Sequence, residues 1–236
     1  MLVRDKKHFV KGLVLAISFL VVLGIMFTPN FGNNKNALEA SDQLFNTIAK
    51  GSTYFIPDLQ KKNQEFMGRT FKVDIKLKTS ELGQRTAKVF KTAGAKITGE
   101  GAQLEVSGDL GEVLGAAISD SGAMFHNRDS ELSAKYGLQG LDVMAAWWNG
   151  LKDVNKDLTR QKRFKEAAFV DTVIKRGVEV GYNFFGIEAG SAVSKAGMLS
   201  FSLVFYVIYT LWWGIAILFL FEGIGLEMKA GGKKEH

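Results

Sequence analysis

The chain has 236 residues, a net charge of +6 and no cysteine, so disulfides, cysteine-bound zinc, iron–sulfur clusters and c-type haem attachment are excluded. Hydrophobic residues make up 47%, an ordinary globular share, but the mean hydropathy of +0.05 averages two strongly apolar blocks with a polar middle. Of the three histidines, His8 and His236 lie in polar ends and only His126 lies in the middle, which leaves no bis-histidine haem within the apolar blocks.

Residues 1–8 form a basic tail. The first apolar block, 9–28, carries no charge from Gly12 to Phe27, and Lys11 sits near enough to its end to snorkel. The residues after it, Met26-Phe27-Thr28-Pro29-Asn30-Phe31, lack the small-x-small pattern of a signal-peptidase site. An uncleaved signal-anchor is therefore expected. The linker Asn30–Asn36 leads to a helix predicted over 37–50 and a second over 57–67 with Pro57 in its first turn, all within 29–69.

Residues 71–78 alternate strictly: Phe71, Val73, Ile75 and Leu77 on one face, Lys72, Asp74, Lys76 and Lys78 on the other. That period of two predicts a strand with one covered face. Ser80 is placed to cap a helix bearing Leu82, Val89 and Phe90, which Gly94 stops. A hairpin turning at Gly99-Glu100-Gly101 follows, and then Asp109-Leu110-Gly111-Glu112 reads as a capping box opening another helix. The order strand–helix–strand–strand–helix over 70–125 predicts a small α/β sandwich. From 126 to 195 the spacing of Met144, Trp147, Leu151 and Val154, a basic join over 156–165, and Phe164, Ala168, Val173, Ile174 and Val178 predict a long helical hairpin.

No charge interrupts residues 196–221. At 1.5 Å per residue that stretch covers about 39 Å, enough for a hydrocarbon core of ~30 Å. The tail 222–236 again holds lysines, Lys229, Lys233 and Lys234, interspersed with Glu222, Glu227 and Glu235. Short basic flanks stay in the cytoplasm. Both termini are thus expected inside and residues of about 30–195 outside, in the periplasm of a prokaryote or its extracellular equivalent. The middle contains no Asn-x-Ser/Thr sequon, in keeping with that source. The fold class expected is an α+β membrane protein, with terminal transmembrane helices flanking an extracytoplasmic sandwich and hairpin.

No catalytic, cofactor or metal site is assigned. Gly99-Glu100-Gly101 is too short for a phosphate loop. Asp120, His126, Asp129 and Glu131 gather one imidazole among carboxylates, but polar residues are also what a helix end requires for capping. Trp147 and Trp148 point about 100° apart on a helix, so one of them should meet a second surface. With Tyr182, Phe184 and Phe185 they are the expected interface aromatics. Tyr206, Tyr209 and Trp213 share one face of the second span near its middle, where lipid offers their polar groups no partner; a protein-packed face is expected. Glu222 is the membrane-edge carboxylate, followed after Gly223-Ile224-Gly225 by Glu227.

These features together suggest a non-catalytic accessory or assembly subunit of a larger prokaryotic inner-membrane complex, respiratory or transport-related. Its expected partners are other membrane subunits or copies of itself, and lipid; interspersed acids and bases argue against nucleic acid. The alternatives are a self-assembling scaffold, co-polymerase-like in plan but without a proline-rich stretch near the second span, and a ligand sensor with no output domain of its own.

Overall fold

A computed structural model describes residues 3–32 and 34–226. The expectations resting on Glu227, Lys229, Lys233, Lys234 and His236 lie outside the described residues. The chain divides into two compact units, residues 1–48 with 190–236, and residues 49–189.

In the first unit, α1 (Lys6–Met26) and α10 (Ala196–Gly223) are each long and apolar enough to cross a membrane. α1 starts three residues before the expected position 9 because Asp5 caps it: Oδ1 accepts from the amides of Lys7 at 2.9 Å and His8 at 3.1 Å. The helices run antiparallel, Phe9 against Gly223 at one end and Phe19 against Tyr209 toward the other. Small residues set the spacing. A Cβ on Gly12 would lie 2.6 Å from the Leu220 amide nitrogen, and one on Gly223 would lie 2.6 Å from Phe9 Cα. Ala16 and Ala216 are buried in the same seam. α2 (Ala37–Ser52) opens with a reciprocal cap, in which Asn36 Oδ1 accepts from the Glu39 amide (2.9 Å) and Glu39 Oε2 from the Asn36 amide (3.0 Å).

The second unit begins with α3 (Ile56–Asn63) and a 3₁₀ turn (Gln64–Phe66), where a single helix to 67 was expected. β1 (Thr70–Lys76), β2 (Lys96–Glu100) and β3 (Gln103–Asp109) make an antiparallel sheet in the order β1-β3-β2. Phe71, Val73 and Ile75 face inward, as their alternation requires. Three local expectations are corrected. Thr79, not Ser80, caps α4 (Ser80–Thr92), its hydroxyl accepting from the Leu82 amide. The hairpin turns on Gly101 and Ala102, because Glu100 still pairs with Gln103; Gly99, at φ +93°, stays in the strand opposite Leu104. The join expected over 156–165 shrinks to three residues, since α7 (Gly140–Arg160) continues through the basic segment.

That continuation has a cause in the sheet. Asp153 and Asp157 on α7 accept from the outer-edge amides of Lys76 (2.8 Å) and Asp74 (3.3 Å). Gln161 and Arg163 donate to the outer-edge carbonyls of Lys72 (2.8 Å) and Thr70 (3.0 Å). Four side chains thereby close the edge of β1.

α5 (Leu110–Phe125) is capped by Asp109, and α6 (Asp129–Tyr136), which was not expected, ends on Gly137 in the left-handed region. α8 (Phe164–Val173), a π-turn (Ile174–Val178) and α9 (Glu179–Asn183) form one rod, with helical backbone angles at both junctions. A single hydrophobic core joins the sheet, through Val73 and Val106, to α4 through Phe90, to α7 through Trp147 and to α8 through Phe169. The segments read as sandwich and hairpin therefore share one interior.

Candidate functional site

Three constellations concentrate the chemistry. The first is the α1/α10 seam. Tyr209 and Trp213 pack on Phe19, ring centroids 4.4 and 4.6 Å away, and Trp212, which is not one of the three residues expected on that face, donates its Nε1–H to Leu15 O at 3.1 Å. Tyr206 shares their face but stays outside this contact, 67% exposed. The expected stripe is thus divided between an internal partner and an open position. At the other end of the seam, Glu222 Oε2 lies 3.9 Å from His8 Nε2, while His8 Nδ1 lies 2.6 Å from Asp5 Oδ2. All three side chains are more than a third exposed, so the seam does not enclose this cluster.

The second is a buried carboxylate. Asp120, 3% exposed, accepts from Tyr136 Oη (2.5 Å), Trp147 Nε1 (2.8 Å) and Lys135 Nζ (2.9 Å). Trp147 is therefore not an interface residue: its ring is wholly buried against Phe90 and its N–H is consumed by Asp120. The sequence cluster is also dispersed. His126 lies by the rings of Tyr54 and Phe125, and Glu131 pairs with Arg128. Among the described residues no group of three or more His, Asp or Glu side chains is arranged to hold a metal ion.

Tyr136 carries a pH consequence. Burial first, and the Asp120 carboxylate second, push its hydroxyl above the ordinary value of 10.0. Below that value both folded and unfolded chains hold the proton. Above it the unfolded chain ionises while the folded one does not, so stability falls as pH rises. The thermal midpoint should drop as the pH rises above about 10, and drop less in Tyr136→Phe. Equal losses in both proteins would remove Tyr136 as the cause.

The third is a groove of about 380 Å³ between α7 and the π-containing rod, lined by Met144, Trp148, Asn149, Val178, Glu179 and Tyr182. Trp148 Nε1 donates to Glu179 Oε1 at 2.9 Å, and Lys152 Nζ stands 3.9 Å over the Trp148 ring. Tyr182 is 46% exposed at the rim. The π-turn inserts an extra residue just before Glu179, so it sets the azimuth at which Glu179 and Tyr182 leave the rod; such turns recur at functional sites. Close approach holds the rod in place: a Cβ on Gly181 would lie 2.7 Å from Ser121 O.

Phe184 and Phe185 are half-buried, Phe185 against the core and Phe184 edge-on to Phe125 at 6.3 Å. The segment after α9 is stapled by a lysine that belongs to no sequence motif. Lys50, 3% exposed, donates from Nζ to Phe184 O (3.0 Å), to Ile187 O and to Asn127 Oδ1 (3.3 Å), over the Phe125 ring. Desolvation lowers its pKa, and Glu188 works against that shift. One of its acceptors, Phe184 O, is the carbonyl that caps α9, where cations are favoured.

The groove is the place where exposed aromatic surface, a carboxylate and a cation meet in a concavity, and it is the candidate site. No family model, curated protein or solved structure matches the chain, so its chemistry rests on these residues alone.

Proposed function

We propose that the chain is an accessory or assembly subunit of a prokaryotic inner-membrane complex, anchored by α1 and α10, with residues 49–189 outside and both termini in the cytoplasm. The basic flanks of both apolar helices support this orientation. The observation that carries the docking role is the Trp148/Tyr182 groove. Aromatic side chains beside a half-buried carboxylate and an exposed ammonium suit an interface hot spot, and a concavity of this size accepts one or two partner side chains. Tyr206 would add a contact within the membrane, where an open phenol is better satisfied by protein than by lipid tails.

The test is extraction of the full chain in a gentle detergent, with mass spectrometry of the co-eluting proteins. Stoichiometric foreign subunits are expected. Tyr182→Ala, which removes a rim side chain, should lower their recovery about tenfold without altering the circular dichroism. Elution of this chain with no foreign subunit would sink the accessory reading and shift weight to the scaffold or sensor. The sensor reading draws on the same groove, whose volume lies within the range of small-molecule pockets.

A further inference from the structure

Register determines which backbone groups of the sheet face outward. On β1 the groups bonded from outside the sheet are the amides of Asp74 and Lys76 and the carbonyls of Thr70 and Lys72. In antiparallel pairing a residue sends its N–H and C=O to the same side, so the even-numbered residues of β1 turn away from β3. They stand opposite Gln103, Glu105 and Ser107, which accordingly bond β2 through Glu100, Thr98 and Lys96. Ile97 and Gly99 are left with their amides and carbonyls on the outer edge of β2. No hydrogen bond from the described residues reaches those groups. One edge of the sheet is closed by four side chains and the other by none, which is a difference natural sheets rarely leave unmanaged.

We propose that the outer edge of β2 pairs antiparallel with β2 of a second copy of this chain, about a two-fold axis at Thr98. The segment Lys96-Ile97-Thr98-Gly99-Glu100 is self-complementary about that centre. Ile97 faces the second copy's Gly99 and exchanges both main-chain bonds with it, twice over by symmetry. Lys96 faces the second copy's Glu100, again twice, and Thr98 faces its counterpart. Both kinds of pair stabilise adjacent strands. Lys96, Thr98 and Glu100 are exposed on the face where Thr98 Oγ1 already donates to Glu105 (3.2 Å) and Lys72 pairs with Glu105 (2.8 Å). Ile97 instead packs on the core, so the charged pairs form in water and no charge is buried. A centre at Ile97 would call on Ala95, whose N–H is given to Phe90 O. The edge is short for a soluble dimer, but two copies held by membrane-length helices in one bilayer meet at high effective concentration.

The chain lacks cysteine, so Thr98→Cys introduces a single thiol on the axis. There it would stand in a non-hydrogen-bonded pair with Cα atoms about 4.5 Å apart, within the disulfide range. Mild oxidation of full-length protein in membranes should give a disulfide dimer. Lys76→Cys, on the closed edge, should give at least about tenfold less. In the same membranes, adding Glu100→Lys to Thr98→Cys should lower the yield of disulfide dimer about tenfold, because two attractive pairs become two repulsive ones. The double variant Lys96→Glu/Glu100→Lys should restore it. Failure of Thr98→Cys to cross-link would overturn the proposal. A dimer indifferent to Glu100→Lys, or a double variant that does not recover, would overturn it equally.

Discussion

Replacing Asp120 by alanine is expected to destabilise residues 49–189 by about 3–5 kcal/mol. The carboxylate is 3% exposed and accepts three hydrogen bonds, two of them from groups with no route to water. Tyr136 and Trp147 are both fully buried, so truncation strands an O–H and an N–H at about 1–3 kcal/mol each. A small cavity between α5, α6 and α7 adds to that cost. Lys135 is 39% exposed, recovers its hydration and contributes little. Asp120→Asn keeps the shape and one acceptor, so it should cost roughly half as much. In thermal unfolding followed by circular dichroism, the alanine variant should lose on the order of 10 °C. A loss under 2–3 °C, roughly 1 kcal/mol, would mean that water replaces the carboxylate and that the hub is dispensable.

The same hub shows where sequence reading succeeds and where it stops. The strand at 70–76 and the Asp109 cap were legible because each depends on a local pattern, period two in one case and side-chain-to-amide spacing in the other. The two apolar helices were legible from composition. Asp120 was noticed for the wrong company: neighbours in sequence suggested His126 and Asp129, whereas its partners come from 15 to 27 residues away on two later helices. Adjacent tryptophans correctly implied two environments, but only tertiary contact says that Trp147 takes the core and Trp148 the groove. The π-turn left no trace, since Val170, Val173, Ile174, Gly177, Val178 and Gly181 continue an ordinary helical spacing. Lys50 was invisible because two of its three acceptors are main-chain carbonyls 134 and 137 residues away, which carry no residue-type signal, and the third, Asn127, is 77 residues away. The close approach of α1 to α10 does have a sequence counterpart: Gly12 and Ala16 form a small-x-x-x-small pair on α1.

That pair supports the other large expected effect. Gly12→Ile should separate α1 from α10 without preventing either from being apolar enough to insert. A Cβ at position 12 would meet Leu220 N at 2.6 Å, Leu220 Cγ at 2.9 Å and Ala216 O at 3.0 Å. Two of those three atoms are main chain, so no rotamer change on α10 relieves the clash, and the helices must move apart. Separation forfeits more than the contact itself. Phe19 loses the rings of Tyr209 and Trp213, and Trp212 loses its acceptor at Leu15, leaving an indole N–H that apolar surroundings cannot satisfy. Alanine at the same position meets the same backbone atoms but adds no bulk beyond Cβ, and its effect should be smaller. The chain's lack of cysteine provides the readout: His8→Cys with Glu222→Cys, whose native side chains approach to 3.9 Å, should be joined by a short bifunctional thiol reagent. Gly12→Ile should reduce that cross-link about tenfold or more, while alkali extraction still recovers the chain in the membrane fraction. An undiminished cross-link would mean that the seam is held by its aromatic end alone, with Phe19 rather than Gly12 as its anchor.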